Sequence, residues 1–354
     1  MKLNVGILGA TGAVGQKFVR LLENHPWFTI TAVAASERSA GKSYRDAAHW
    51  IEPTRMPESV AGLEVQLCEP GLDCDLVFSG LDSSVAGTVE KAFAAAGYPV
   101  ISNAKNHRMD DDVPLLIPEI NPEHVDLVQR QTYSETGFIV TNPNCATVGM
   151  TIALKPLQDE FGIEAVHVTT MQALSGAGYP GVASLDAVAN VVPYIGGEED
   201  KLETEPLRIL APRQGEGASS SVTPLSFPVS AQCNRVSVID GHMECVSVKL
   251  AGSPTADQVE QALRSFTTPG EVAGLPSAPE TCLMVDDAEA APQPRRDVDR
   301  GAGMTVSVGR VRSCPVFDAR FVVLSHNTIR GAAGGAILNA ELLASRGLLA
   351  QRKV

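Results

Sequence analysis

The sequence predicts an α/β fold built from two domains, and three observations support this prediction. Over roughly the first 140 residues, apolar runs typical of buried strands alternate with segments of helical spacing, which is the pattern of βαβ units in a parallel sheet. A glycine-rich turn directly follows the first of these strands. The chain has 354 residues, which is too long for one ordinary hydrophobic core. We therefore expect a parallel-sheet domain followed by a second domain.

Composition and charge exclude several classes of protein. Hydrophobic residues make up 44% of the chain and charged residues 19%, which is typical of a globular protein. The net charge of −13 argues against a general nucleic-acid binder. No signal segment and no apolar run of membrane-spanning length is found, so no membrane partner is expected. The seven cysteines lack the spacing of a metal site or a disulfide framework, which predicts no metal and favours the cytoplasm.

The first strand, predicted over residues 3–8, leads into a glycine-rich turn and a helix over residues 16–24. The spacing G-x-x-G-x-x-G is a variant of the dinucleotide-binding fingerprint. Its glycines permit a tight turn, close approach of a pyrophosphate and close packing of helix on strand. A purely structural turn is the alternative. The expected cofactor contacts here are Gly9, Thr11, Gly12, Ala13, Val14 and Gly15.

The second strand, over residues 29–35, ends at a polar segment that bears on the choice of cofactor. An NAD-specific site often places an acid at this point. Ser36, Arg38 and Ser39 could instead hold a 2′-phosphate, because a guanidinium group suits that anion. Glu37 is an acid in the same segment, and a solvated loop is the alternative reading. We favour NADP over NAD.

The βαβ pattern continues with a strand over residues 75–79, a helix over 85–96 and a strand over 99–102. A Rossmann-type domain is therefore expected. Ser79 and Gly80 end one strand, where small residues can border the cofactor. Arg108 follows the other at the sheet edge where ligands bind, which makes it either an anion ligand or a surface arginine.

Cys145 lies between a predicted strand over residues 138–140 and a predicted helix over residues 148–161. The partial positive charge at a helix N-terminus stabilises a thiolate, so we expect a lowered pKa for this cysteine. The same backbone N–H groups can hold a developing oxyanion. The pattern is typical of a catalytic nucleophile, although a buried, inert cysteine is the alternative.

The second half of the chain offers a candidate acid/base group. A strand over residues 165–172 ends at a loop containing Ser175 and Gly176, which we place close to the ligand. His242 lies between predicted strands over residues 234–240 and 245–250. A histidine there titrates near neutrality and can transfer protons, or it is a hydrogen-bonded structural residue.

The remaining segments complete the predicted second domain and the C-terminus. Residues 213–223 read as a mobile loop and residues 269–303 as irregular. A helix is predicted over residues 255–266 and strands over 304–311 and 319–324. The segment at Asn327 and Thr328 opens a helix that reaches about residue 349.

Together these residues resemble aspartate-semialdehyde dehydrogenases over nearly the whole chain, and the archaeal and fungal branch most of all. The strongest match is the run of residues 142–147, Asn-Pro-Asn-Cys-Ala-Thr. Sister N-acetyl-glutamyl-phosphate reductases carry glycine and tyrosine where this chain has Asn144 and Ala146. The resemblance implies NADPH-dependent conversion of β-aspartyl phosphate to aspartate β-semialdehyde through a thioacyl intermediate on Cys145. Such a reaction serves lysine, threonine and methionine biosynthesis.

The resemblance also implies roles for individual residues. In the catalytic group, Cys145 is the nucleophile and Asn144 belongs to the oxyanion site. Gln172 orients the substrate, and His242 is the acid/base. In the substrate-binding group, Arg108 and Lys201 bind the phosphate of the substrate. Glu198 binds its ammonium group, and Arg235 binds its carboxylate. Asn327 and Thr328 match a segment that closes over the nicotinamide side.

The resemblance further implies the architecture. Residues 1–143 form the NADP-binding domain, with a C-terminal helix over 329–354 packed on it, and residues 144–328 form an α+β catalytic and dimerisation domain. The active site lies between them, and the chain forms a homodimer or homotetramer. Rival readings are a reductase for N-acetyl-glutamyl phosphate or malonyl-CoA, and a catalytically silent NADP-binding sensor.

Overall fold

The computed structural model describes residues 2–351 and contains a six-stranded parallel sheet in its N-terminal part. Its strands are β1 (Leu3–Leu8), β2 (Phe28–Ala35), β3 (Val65–Leu67), β4 (Leu76–Ser79), β5 (Val100–Ser102) and β6 (Ile139–Thr141). They lie in the order β3-β2-β1-β4-β5-β6, and every pair is parallel. The order reverses between β1 and β4, which is where such sheets bind ligands at their carboxyl ends. The predicted Rossmann-type sheet is confirmed.

The structure also contains a second, mixed six-stranded sheet and a short antiparallel ribbon of two strands. These strands are β7 (Ile163–Gln172), β8 (Arg213–Gln214), β9 (Ser221–Val222), β10 (Val229–Arg235), β11 (His242–Leu250), β12 (Leu283–Asp286), β13 (Val306–Ser313) and β14 (Ala319–Ser325). The sheet order is β10-β7-β11-β14-β13-β12, with β8 and β9 paired separately. The predicted combination of a parallel α/β domain and an α+β domain is confirmed.

The α-helices connect and cover the two sheets. They are α1 (Ala13–Leu21), α2 (Tyr44–Ala47), α3 (Glu58–Ala61), α4 (Ser83–Ala95), α5 (Cys145–Glu160), α6 (Ser184–Ala187), α7 (Glu198–Ile209), α8 (Ala256–Arg264), α9 (Gly270–Ala273), α10 (Pro294–Asp297) and α11 (Gly334–Ser345). Short 3₁₀ segments span Pro122–Arg130, Leu174–Ala177, Gly217–Ser219 and Arg300–Gly303, and a π-helical turn spans Ile329–Ala333. No helix within residues 2–351 combines the length and apolar character needed to cross a bilayer.

Each sheet has its own apolar core. Phe18 of α1 and Phe78 of β4 stack in the first core, with ring centroids 4.8 Å apart. Leu338 and Leu342 of α11 belong to the same core, so the C-terminal helix packs on the first sheet. The second core is centred on α5, which is buried on almost every side between helices and the second sheet. A helix surrounded by apolar contacts is held rigidly, which fixes its N-terminal residue Cys145.

Several predicted boundaries are wrong. The strand placed over residues 234–240 ends at Arg235, because the chain makes a tight turn directly afterwards, in which the Val238 N–H donates to the Val236 carbonyl at 2.8 Å. Residues 213–223 contain the ribbon of β8 and β9, and residues 269–303 contain β12 and two short helices. The C-terminal helix stops at Ser345, since Gly347 adopts a left-handed conformation with φ of 71°. Residues 352–354 of the predicted helix lie outside the described residues.

Candidate active site

Cys145 is the first residue of α5, directly after the turn that follows β6. Asn144 is the N-cap, and its side-chain oxygen accepts hydrogen bonds from the N–H groups of Ala146 at 3.0 Å and Thr147 at 3.3 Å. An asparagine cap of this kind fixes the start of a helix. The cysteine therefore lies at a rigid strand-to-helix turn, as its sequence context predicts.

The second sheet brings three predicted residues to one edge. Arg235 ends β10, Gln172 ends β7, and His242 begins the antiparallel strand β11. These three strands are neighbours, and Arg235 pairs directly with Gln172. The edge faces the N-terminus of α5, because His242 Nε2 lies 3.2 Å from Cys145 Sγ.

The histidine is held in one tautomer by the backbone. Its Nδ1 accepts a hydrogen bond from the Ala173 N–H at 3.0 Å, so the proton of the neutral ring resides on Nε2. The Nε2–H then points at the sulfur of Cys145. His242 is fully buried, which favours the neutral ring.

The ionisation of Cys145 and His242 differs from the sequence prediction. Burial raises the pKa of Cys145 to about 12, and the Glu198 carboxylate adds to this shift. Three cations, Arg108, Lys201 and Arg235, act in the opposite direction but do not outweigh it. Burial lowers the pKa of His242 to about 3. The predictions of a lowered cysteine pKa and a histidine titrating near neutrality are therefore wrong, because desolvation by burial outweighs the partial positive charge at the helix N-terminus.

Glu198, the first residue of α7, is the anionic centre of the site. Its carboxylate accepts hydrogen bonds from Lys201 Nζ at 2.5 Å, from Asn144 Nδ2 at 2.9 and 3.0 Å, and from Gln172 Nε2 at 3.3 Å. Burial acts to raise the pKa of Glu198, but Lys201 and the two amides outweigh it and hold the pKa below its ordinary value. The site thus presents one fixed negative charge close to Cys145.

The two predicted arginine ligands are held by backbone and side-chain acceptors. Arg108 Nη1 donates to Glu205 Oε1 at 2.8 Å, and Nη2 donates to the Asn103 carbonyl at 2.8 Å. Arg235 Nη1 donates to the Ala173 carbonyl at 2.7 Å. Gly176 lies against this group, since a Cβ there would stand 2.8 Å from Arg235 Nη1. A larger residue at this position would therefore have to displace the Arg235 guanidinium from its place in the site.

The glycine-rich turn has the geometry that a dinucleotide needs. Gly9 has a φ of 74°, and a Cβ on it would lie 2.8 Å from the Gly80 carbonyl oxygen. A Cβ on Gly15 would overlap the Gly9 carbonyl oxygen at 2.3 Å. Gly12 caps α1 without a side-chain bond, so the first-turn N–H groups of Ala13 and Val14 face outward without intrahelical acceptors. The turn fits a pyrophosphate at a helix N-terminus.

Other predicted cofactor residues surround this turn. Ser36 and Arg38 are exposed after β2, and Ser39 beside them is buried. Ser79 is fully buried, and its hydroxyl donates to Glu90 at 2.6 Å, so this side chain supports the strand end instead of facing the turn. The Ser79 backbone and Gly80 are therefore the parts of this segment that lie beside the glycine-rich turn.

A cavity of about 460 Å³ separates the glycine-rich turn from the second domain. Ala13 lines it on one side, and Ser175 and Thr328 line it on the other. Asn327 holds Ser175 in place on the second side of the cavity. Its side-chain amide donates to Ser175 Oγ at 2.8 Å and accepts from the Gly241 N–H at 2.9 Å. The structure thus brings together residues that the sequence places in opposite halves of the chain.

Comparison with known proteins agrees with this geometry. Residues 4–128 match a family model described as the semialdehyde dehydrogenase NAD binding domain, and residues 154–330 match the dimerisation domain of the same family. Aspartate-semialdehyde dehydrogenase of Candida albicans is 50% identical over 97% of this chain and 98% of its own. The enzyme of that name from Methanothermobacter thermautotrophicus is 50% identical over 96% of this chain and 99% of its own. The chain belongs to the aspartate-semialdehyde dehydrogenase family.

A solved structure of this family supports the same conclusion. The crystal structure of aspartate semialdehyde dehydrogenase with NADP from Candida albicans superimposes with a TM-score of 0.90. It is 46% identical and covers 99% of this chain and 100% of its own. The predictions of the family, the reaction class, the NADP cofactor and the fold class are confirmed. The roles of individual residues and the exact domain division stay predictions.

Sequence reasoning missed the groups that pack behind Cys145. A Cβ on Gly331 would stand 2.8 Å from the Cα and Cβ of Cys145, so only glycine lets the π-helical turn approach. Asn142 Nδ2 donates to the Gly331 and Ala332 carbonyls at 3.4 and 3.3 Å. A π-helical turn exposes such carbonyls and often accompanies a functional site. The available signal was the position of Asn142, three residues before the cysteine.

Proposed function

We propose that this member of the family reduces β-aspartyl phosphate to aspartate β-semialdehyde at Cys145. The observation that carries the proposal is the 3.2 Å contact between Cys145 Sγ and His242 Nε2 inside a cluster of fixed charges. The substrate carries a phosphate, a carboxylate and an ammonium group. Arginine and lysine match the two anions, and a carboxylate matches the ammonium.

Glu198 has two effects in this proposal. It binds the substrate ammonium, and in the free enzyme its charge helps to raise the pKa of Cys145. Because an ammonium neutralises that charge, substrate binding lowers the free energy of the thiolate at the moment it is needed. The Nε2–H of His242 donates to the sulfur and stabilises the anion without requiring an imidazolium.

The chemical steps use the side chains of this site, NADPH and one proton from solvent. The Cys145 thiol first loses its proton to solvent. The thiolate attacks the acyl carbon, the carbon–oxygen bond to phosphate breaks, and phosphate leaves toward Arg108 and Lys201 and takes up one proton from solvent. NADPH, when bound, supplies the hydride that reduces the thioester. Collapse of the resulting alkoxide releases the aldehyde and returns the thiolate, which His242 again stabilises by its Nε2–H.

Fewer backbone N–H groups are free to bind the oxyanion than the sequence implies. The N–H groups of Ala146 and Thr147 are used by the Asn144 side chain, and the Asn144 N–H is used by Glu205. Within residues 2–351, the N–H of Cys145 has no hydrogen-bond partner. Asn144 therefore supports the oxyanion indirectly, by fixing the turn that aims the Cys145 N–H.

The domain division, assembly and location complete the proposal. Residues 1–143 with the C-terminal helix bind NADP, and residues 144–328 carry catalysis and dimerisation, which the family match at residues 154–330 supports. The chain forms a homodimer or a homotetramer and takes no nucleic-acid partner, given its net charge of −13. All seven cysteines are free thiols, which favours the cytoplasm.

A substrate comparison with a Glu198 variant tests the ammonium role. Glu198→Gln should raise the KM for aspartate β-semialdehyde by about 10- to 100-fold, the loss expected for a charge-assisted hydrogen bond. The Kd for NADP⁺ should stay within about twofold, because the cofactor does not touch this side chain in the proposal. Glu199→Gln is the matched control, since that carboxylate accepts a bond from the Cys233 N–H instead.

Semialdehydes without an ammonium group provide the second arm. N-acetyl-glutamate semialdehyde and malonate semialdehyde should be poor substrates of the wild type and should not worsen with Glu198→Gln. If the variant leaves the KM for aspartate β-semialdehyde unchanged, Glu198 does not bind the ammonium.

A further inference from the structure

Glu205 joins the nucleophile turn to the predicted phosphate ligand. Its Oε1 accepts the Nη1–H of Arg108 at 2.8 Å, and its Oε2 accepts the backbone N–H of Asn144 at 2.7 Å. The partners lie 97 and 61 residues away along the chain. Glu205 is 2% exposed, so both contacts are made in a buried environment. Each oxygen of one carboxylate therefore serves a different part of the site.

The helix α7 places this carboxylate in line with the substrate-binding pair. Glu198, Lys201 and Glu205 are separated by three and four residues, which puts them on one face of the helix. The first two meet the substrate in the proposed function. The third, Glu205, lies two helical turns after Glu198, and its carboxylate hydrogen-bonds to Arg108 and Asn144 and not to Cys145 or His242.

The contacts of Arg108 show that Glu205 sets its orientation. Apart from Glu205, the guanidinium donates only through Nη2 to the Asn103 carbonyl at 2.8 Å, and Arg108 Nε has no partner within residues 2–351. A buried guanidinium with one ionic partner follows that partner when it moves. Both partners of Glu205 are donors, so a carboxylate is the one group of this size that satisfies them together.

We propose that Glu205 is a positioning residue that fixes the distance between the Cys145 turn and the Arg108 guanidinium. The inference rests on the proposed function, in which these two groups act on the acyl carbon and the phosphate of one molecule. Effective catalysis requires such groups to be held in place, and a misplacement of about 1 Å costs roughly a hundredfold in rate.

Glu205→Gln tests this inference because the amide is isosteric but replaces one acceptor with a donor. In one of the two contacts the new amide N–H then faces another N–H donor, that of Arg108 or that of Asn144. In the phosphate-dependent oxidation of aspartate β-semialdehyde, we expect kcat/KM for phosphate to fall by about 10- to 100-fold, the loss of one charge-assisted bond. The rate of Cys145 alkylation by iodoacetamide should also change by more than about twofold, while the Kd for NADP⁺ stays within about twofold.

The control is Glu203→Gln on the same helix. Its carboxylate accepts one backbone bond, from the Ala231 N–H at 3.0 Å, away from the site. This variant should match the wild type in all three measurements. Glu205→Asp keeps the charge but shortens the arm by one methylene, so it should show the same pattern as Glu205→Gln, and it decides the question if Glu205→Gln does not fold.

Three outcomes are distinguishable. Loss of phosphate kcat/KM with altered alkylation and unchanged NADP⁺ binding supports the inference. Equal losses in every measurement, or values equal to those of Glu203→Gln, overturn it. A wild type with no phosphate-dependent turnover overturns the proposed function instead, and the alkylation rates of the Glu205 variants still decide whether Glu205 positions the cysteine turn.

Discussion

The buried ion pair between Glu119 and Arg330 gives a sharp prediction about stability. Two parallel contacts of 2.6 Å join both carboxylate oxygens to both terminal nitrogens of the guanidinium. The side chains are 0% and 1% exposed, so solvent does not screen the pair. Glu119 lies in the segment between β5 and β6, and Arg330 lies in the π-helical turn that packs behind Cys145 through Gly331. The pair therefore ties the C-terminal segment to the site.

Removing one partner should be far more damaging than removing both. Glu119→Gln keeps the volume of the side chain but leaves the Arg330 charge buried without compensation. Breaking a buried pair in this way costs about 3–5 kcal/mol of the free energy of unfolding. Replacing both residues with apolar ones, Glu119→Leu with Arg330→Met, removes the uncompensated charge and should cost less than Glu119→Gln alone.

Urea denaturation followed by circular dichroism measures these differences. The matched control is Glu58→Gln, which breaks the Arg45 pair of 2.6 Å whose side chains are 59% and 87% exposed. That change should alter the free energy of unfolding by less than about 1 kcal/mol. If Glu119→Gln is no more destabilising than Glu58→Gln, the assignment of an uncompensated buried charge is wrong.

Three further predictions follow from the site. Gly331→Ala should lower turnover by about a hundredfold and destabilise the fold by about 1–3 kcal/mol, because the new Cβ meets Cys145 at 2.8 Å; Gly270→Ala, where a Cβ meets nothing within 4 Å, should be neutral in both measurements. Burial raises the pKa of Glu244 well above its ordinary value, so unfolding releases a proton and stability falls by about 1.4 kcal/mol per pH unit above the unfolded pKa of about 4.3. Glu244→Gln should remove that slope in urea titrations over the pH range between the unfolded pKa of about 4.3 and the raised folded pKa, and an unchanged slope would refute the shift. Glu198→Gln should lower the pKa of Cys145 and speed its alkylation near neutral pH, whereas slower alkylation would contradict the electrostatic account.

Local signals in the sequence were sufficient for the Rossmann-type sheet and for the place of Cys145 at a strand-to-helix turn. Glycine spacing after a strand predicts the turn at Gly9, whose left-handed φ of 74° only glycine adopts without strain. The strand before Cys145 and the helix after it are set by apolar runs, and the Asn144 cap is set by residue type. These features depend on neighbours within a few residues.

The rest of the site depends on contacts that no local pattern encodes. Glu205 reaches partners 61 and 97 residues away, and its signal in the sequence, two helical turns after Glu198, is weak by itself. The pKa values of Cys145 and His242 follow from burial, which depends on the packing of both domains. Helix-terminus reasoning gave the opposite direction for the cysteine, because desolvation in the assembled site outweighs a partial charge.

The most direct test of the central claim is a spectrophotometric assay in the reverse direction. Purified protein is mixed with aspartate β-semialdehyde, phosphate and NADP⁺, and the formation of NADPH is followed by its absorbance, with NAD⁺ in a parallel sample. The account predicts NADPH formation that requires phosphate and is abolished by Cys145→Ala, a variant that still binds NADPH. Turnover that survives in the folded Cys145→Ala variant, or that proceeds without phosphate, would contradict it.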